Sequence, residues 1–171
     1  MSDLPISTEL LNRATAGNAD AQFELAEIYM QSEQEQYIAL AEEWALKAAQ
    51  LGHVEAMYWL GEGYAFYAKD MLEQDPDEAK TYFEHAYRWL EHASKHKHPA
   101  ALLELSNFYR RGDVVEKDLA KSVELVKQAA ELGEVQAMRD LACIYELGMG
   151  IDVDAEKADF WNDKAETAEA E

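Results

Sequence analysis

The sequence predicts an all-α repeat protein: four stacked helix hairpins preceded by a capping helix. Three observations carry that expectation. The motif Ala-x3-Leu-x3-Tyr occurs at Ala21/Leu25/Tyr29, Ala56/Leu60/Tyr64, Ala101/Leu105/Tyr109 and Ala137/Leu141/Tyr145. A second anchor follows each copy, as Trp44, Trp89, Leu125 or Trp161, and the copies lie 35, 45 and 36 residues apart. Self-similarity at such a period is the signature of stacked repeats. Pro and Gly are also scarce, at 3 and 8 of 171 residues, against 49% hydrophobic content, which favours helix over disorder or an all-β fold.

The period explains the residue types. Ala, Leu and Tyr four apart share one stripe of a helix. The small Ala lets a neighbouring helix approach, Leu and Tyr fill the space between layers, and the Trp of the second helix closes the pair. A single hairpin cannot bury its own stripe, so stability is a sum over repeats and their interfaces.

Residues 1–16 hold a capping helix over 6–16, with Ser7 or Thr8 as cap and Leu10, Leu11 and Ala14 facing inward. Repeat 1 spans 17–52, with helices near 18–31 and 34–51 and a polar, Gly-free connector at 31–36. Repeat 2 spans 53–97 and is irregular. Between Tyr64 and Trp89 lie 24 residues where the last two copies have 15. The extra stretch, near 65–76, extends the first helix and then turns, with Asp75 capping the next helix and Pro76 at its first position. Such insertions often shape binding, and a tolerated loop extension accounts for this one equally well. Repeat 3 spans 98–133, with helices near 98–111 and 118–132. Repeat 4 and an acidic tail span 134–171, with helices near 135–147 and 153–168 and a frayed end from Ala165. The whole reads as one domain.

The fourth copy carries a resemblance. Leu141, Tyr145, Gly148, Gly150, Ile151, Asp154, Lys157, Ala158, Trp161, Lys164 and Ala165 follow the pattern of the SEL-one-like repeat (SLR) family, which is related to tetratricopeptide repeats. Copy three keeps Tyr109, Gly112, Val114, Asp118, Lys121, Ala129 and Gly133 but has Leu125 in place of the Trp, while copies one and two lack the Gly-x-Gly turn. The resemblance covers roughly residues 17–167. It implies a right-handed α/α superhelical solenoid whose first helices line a concave surface, and an adaptor or binding role without catalysis.

The formal net charge is −20. Residues 1–87 hold 17 acids and 4 bases, 88–127 hold 6 and 8, and 128–171 hold 12 and 3. Phosphate contacts need a basic surface, so nucleic acid is disfavoured as a partner, and anionic lipid is disfavoured for the same reason. A basic protein partner fits through steering and complementarity, although the charge also serves solubility. The N-terminus reads as lacking a leader and no window reaches the length of a membrane span. A cytoplasmic, bacterial setting is expected.

Chemistry-bearing clusters are few. His85, His92 and His96 lie on one helix stripe, and His92 and His96 are one turn apart, a chelating geometry. No Cys, Asp or Glu completes a set on that stripe. By repeat alignment His85 and His92 stand where copy four has Lys157 and Lys164, as polar flanks of the Trp89 stripe. Cys143 is the one cysteine, so no internal disulfide forms, and no partnered base marks it as a nucleophile. There is no phosphate-binding glycine loop, His-Glu-x2-His or Gly-x-Ser-x-Gly motif. No enzyme activity and no cofactor are expected.

The outward face of each first helix is more informative. With the motif Leu inward, residues two before, one before and two after it point away. These are Phe23, Glu24 and Glu27; Tyr58, Trp59 and Glu62; Leu103, Glu104 and Asn107; and Arg139, Asp140 and Cys143. All except Leu103 and Cys143 are the candidate partner-binding residues. Trp and Tyr rimmed by carboxylates is hot-spot composition, suited to a basic helix or peptide. Alternatively, Tyr58 and Trp59 pack against the insertion. The expected function is a non-enzymatic interaction module holding a basic protein on its concave face. The rivals are an immunity-type inhibitor of a cytotoxic effector such as a basic nuclease, a metal-binding protein using the His stripe, and self-association through Trp59.

Overall fold

The computed structural model of the protein describes residues 4–32 and 34–170. Met1, Ser2, Asp3, Glu33 and Glu171, which fall in the expected N-terminus, first connector and acidic tail, lie outside the described residues. Among the described residues the chain forms nine helices and no strand: α1 (Thr8–Thr15), α2 (Ala19–Met30), α3 (Glu35–Gln50), α4 (Val54–Met71), α5 (Pro76–Lys95), α6 (Pro99–Arg111), α7 (Leu119–Glu131), α8 (Val135–Leu147) and α9 (Ala155–Glu169). They fall into two compact units, Met1–Leu60 and Gly61–Glu171.

In the first unit, Ser7 caps α1 by accepting a hydrogen bond from the Leu10 amide at 3.0 Å. Leu10 and Ala14 then pack against Ala21 and Leu25 of α2, ringed by Ile6, Ile28, Tyr29 and Trp44. Asn18 caps α2 through the Ala21 amide at 2.8 Å. The buried Gln22 donates to the Ala14 carbonyl at 3.0 Å, tying α2 to the end of α1. The Gly-free connector leaves α3 without a side-chain cap at Gln34. In its place, Tyr37 of the first turn of α3 stacks on Tyr29, with ring centroids 5.6 Å apart.

In the second unit, the extra residues of repeat 2 become helix. Helix α4 has 18 residues and α5 has 20, against 13 each for α6, α7 and α8. Asp75 accepts from the Glu78 amide at 3.0 Å, and Pro76 opens α5, where its missing N–H costs nothing. The last two hairpins share one turn design. Gly112 and Gly148 end α6 and α8 in the left-handed region, at φ 80° and 69°, which glycine enters without steric penalty. The Asp118 amide donates to the Tyr109 carbonyl at 2.8 Å, and the Asp154 amide to the Tyr145 carbonyl at 2.9 Å. The same aspartates cap α7 and α9 through the Lys121 and Lys157 amides. The end of the chain departs from the frayed expectation. Helix α9 runs to Glu169, held by buried Ala165 and by an ion pair between Glu169 and Arg139 of α8.

Each motif Ala and Leu is buried, and the residue after each Leu is small and buried too: Ala26, Gly61, Ser106 and Ala142. The second helices repeat the device, with Ala41/Ala48, Ala86/Ala93, Ser122/Ala129 and Ala158/Ala165 buried on either side of the Trp or Leu anchor. Tyr87 and Tyr109 add a polar tie between α5 and α6. Their hydroxyls lie 3.2 Å apart, and burial followed by this bond pushes the Tyr87 phenol far above its ordinary value. Glu91, within reach of Tyr87, pairs with Lys95 at 2.8 Å, and that bond lowers its carboxyl.

Gly61 gives a direct test of the close packing. A Cβ there would sit 2.6 Å from Leu90 Cγ, and Leu90 is fully buried. In an open helix Gly→Ala stabilises by about 1 kcal/mol. Gly61→Ala is expected to reverse the sign, costing about 1–3 kcal/mol as an overpacked site, measured as a lower urea midpoint with an unchanged m-value. Asp154→Ala is expected to lower the urea midpoint in the same measurement, and Asp154→Asn, which keeps a capping oxygen, much less.

Candidate functional site

The candidate residues divide by what surrounds them. In the first unit, Glu24 and Glu27 of α2 are exposed carboxylates, and Tyr58 and Trp59 of α4 are half-buried. Phe23 does not point away as expected. It is 8% exposed, with its ring 4.7 Å from that of His53. A helix in a stacked array is covered on more than the stripe carrying its motif Leu, and the residue entering α4 closes the flank of α2. His53 also accepts from the Ala56 amide at 3.1 Å and lies 3.6 Å from the Asp20 carboxylate. Phe23 is therefore a packing residue beneath that surface.

In the second unit, Glu62 is exposed and interacts within the fold. Glu104 and Asn107 are brought together in one groove with Ala65, Lys69, Phe83, Phe108, Arg111 and Asp113, and Asn107 accepts from Arg110 at 2.8 Å. Arg139 is drawn to Glu169, and Asp140 accepts from Gln136 at 2.8 Å, so both are engaged within their own hairpin. Leu103 is buried, and Cys143 is an exposed free thiol.

The histidines take separate roles. His85 packs on Tyr64 with ring centroids 5.5 Å apart, and His92 on Trp89 at 6.0 Å. His96 ends α5. In copy four, Lys157 lies 5.2 Å over Tyr145 and Lys164 lies 4.8 Å over Trp161, while Lys47 lies 4.1 Å over Trp44. The aromatic of each of these sites carries a cationic or imidazole cover at the same repeat position, a contact of the cation–π kind where the cover is charged. Among the described residues, no group of three or more His, Cys, Asp or Glu side chains is placed to hold a metal ion. No described helix is long and apolar enough to cross a membrane.

Sequence reasoning overlooked the insertion as an aromatic surface. Phe66 is 69% exposed, and Tyr67 and Leu72 are also exposed. Phe66 meets Tyr67 edge-on at 6.1 Å, Tyr67 lies against Tyr82 at 6.1 Å, and Tyr82 stacks on Tyr64 at 6.2 Å. The available signal was the Phe66-Tyr67 pair beginning two residues after the motif Tyr64, off the Ala/Leu/Tyr stripe.

Helix hairpins with a recurring Ala-Leu-Tyr stripe, small-residue contacts and Asp-capped turns define an all-α repeat solenoid. The Sel1 repeat family profile matches residues 19–53, 54–98, 99–134 and 135–165, and the chain belongs to that family. Its members are generally non-catalytic protein–protein interaction modules. Two solved structures are similar over nearly the whole chain. One is c5321, a protective antigen of uropathogenic Escherichia coli with an SLR fold, at 29% identity and a TM-score of 0.77, covering 93% of this chain and 32% of that one. The other is a Sel1 repeat protein from Oxalobacter formigenes, at 28% identity and a TM-score of 0.76, covering 92% of this chain and 61% of that one. The chain thus spans about a third and about three fifths of their lengths. A comparison with curated protein sequences returned no match.

The cation covers lead to a modest prediction. Lys164→Ala is expected to lower stability by about 0.5–1 kcal/mol through the exposed cation–π contact with Trp161. Lys164→Arg should retain it, and thermal unfolding of the two variants beside wild type measures the difference.

Proposed function

We propose that this protein is a non-enzymatic interaction module whose partner is a basic protein, held on the face formed by the first helices of its repeats. The observation that carries this reading is the combination of half-buried aromatics and exposed carboxylates on the first two motif helices. Half-buried Tyr58 and Trp59 lie on α4, Glu62 is exposed one turn further along that helix, and Glu24 and Glu27 are exposed on α2. The net charge of −20 would steer a basic partner. Aromatic anchors supply burial and carboxylates supply register. Phe23 packs beneath the α2 surface. The Sel1 repeat family makes a protein the expected class of ligand.

The test is capture from a lysate of the source organism with three baits: wild type, Glu24→Gln/Glu27→Gln, and Glu24→Lys/Glu27→Lys/Trp59→Ala. Partners are identified by mass spectrometry and their affinities measured by titration at two salt concentrations. The reading expects a basic protein whose affinity falls about tenfold or more in the triple variant and weakens with salt. A partner held equally by all three baits would overturn it.

A further inference from the structure

The second repeat and the start of the third enclose a groove whose charge runs against the rest of the molecule. Lys69, Glu104, Asn107, Arg111 and Asp113 stand around its deeper part, with Phe83 and Phe108 as apolar floor. It continues past Phe83, Arg111 and Asp113 to Leu72, Pro76 and Lys80. One wall is therefore the insertion, and the other is the end of α6.

Three cations, Lys69, Lys80 and Arg111, thus converge on one groove in a chain with 35 acids and 15 Lys or Arg. Lys69 and Lys80 are half of the four bases in residues 1–87. Four of the fifteen Lys and Arg side chains, Lys47, Lys95, Arg139 and Lys157, are in ion pairs with carboxylates. Among the described residues, none of the three groove cations has an ion pair or side-chain hydrogen bond, although Glu104 and Asp113 share the groove. Beside them the insertion exposes Phe66, three residues before Lys69 and so adjacent to it on the helix surface, together with Leu72.

We infer that this groove binds an acidic peptide segment bearing an aromatic or aliphatic anchor. The anchor covers Phe66 and Leu72 above the Phe83 floor, and the acidic groups pair with Lys69, Lys80 and Arg111. A basic segment would meet three cations against two carboxylates. Repulsion from the molecule's distant acids is screened beyond roughly 8 Å at physiological ionic strength, which leaves the lining cations and the exposed Asp70, Glu73 and Asp77 that flank them in sequence to set the preference. The inference does not depend on the proposed binding of a basic partner through Glu24, Glu27 and Trp59.

The experiment is a selection of random twelve-residue peptides displayed on phage against the full chain. It is run beside a groove variant, Lys69→Gln/Lys80→Gln/Arg111→Gln, and a control of equal net charge, Arg13→Gln/Arg88→Gln/Lys121→Gln. Circular dichroism and thermal unfolding establish that both variants fold. The expected result is enrichment of Asp/Glu-rich peptides with one aromatic or aliphatic anchor, whose affinity drops about tenfold or more in the groove variant and less than twofold in the control. A Phe66→Ser variant, which leaves every charge in place, should weaken the same peptides. Acidic peptides weakened equally by both charge variants would overturn the inference, as would a selection yielding no acidic peptides. Basic peptides lost on Glu24→Gln/Glu27→Gln would support the acidic surface and leave the groove without its ligand. A selection in which only the groove fails separates the two readings.

Discussion

Close approach of helices at small residues is the constraint on which the rest depends. Small residues are buried at Ala26, Gly61, Ser106 and Ala142 on the first helices and at the paired positions flanking each Trp or Leu anchor. A one-carbon excess at Gly61 meets Leu90 inside van der Waals distance. Protein interiors do not absorb such excess by simple compression. Leucine and tyrosine fill the layers only because these small positions bring the layers together. The Trp anchors then lie half-buried, with one face left for a Lys or His cover.

That constraint explains what could be read from the sequence. The stripe Ala21/Leu25/Tyr29 and its three copies were legible because a helix face repeats every three or four residues and the copies reinforce one another. The caps Ser7 and Asp75 were legible because capping chemistry is local. Phe23 was not. Its angle on the helix is away from Leu25, but its neighbour is His53, thirty residues on, and no local pattern announces that contact. Leu103 is buried in the same position of repeat 3. The tail was misjudged for a similar reason. Its acidic composition suggested fraying, whereas Arg139, thirty residues earlier, receives Glu169.

Function was less legible, because a solenoid separates scaffold from surface. The repeat residues are committed to packing, and what distinguishes this chain lies where the repeats differ. The largest difference is the insertion, which the fold turns into two longer helices and the turn between them, with Phe66, Tyr67 and Leu72 exposed and, among the described residues, no ion pair at Lys69 or Lys80. The charge pattern is then more specific than net charge alone. In the proposed readings, Glu24 and Glu27 select a basic partner while Lys69, Lys80 and Arg111 select an acidic segment, so ligands are told apart by sign as well as by shape.

The most direct measurement of this account is photo-crosslinking in lysate of the source organism. A benzophenone amino acid is placed in turn at Glu27, at Phe66 and at Asp159, the last an exposed position on α9 away from both surfaces in sequence. The account predicts specific protein adducts at positions 27 and 66 and none at 159. Adducts confined to 159, with none at the other two, would contradict it.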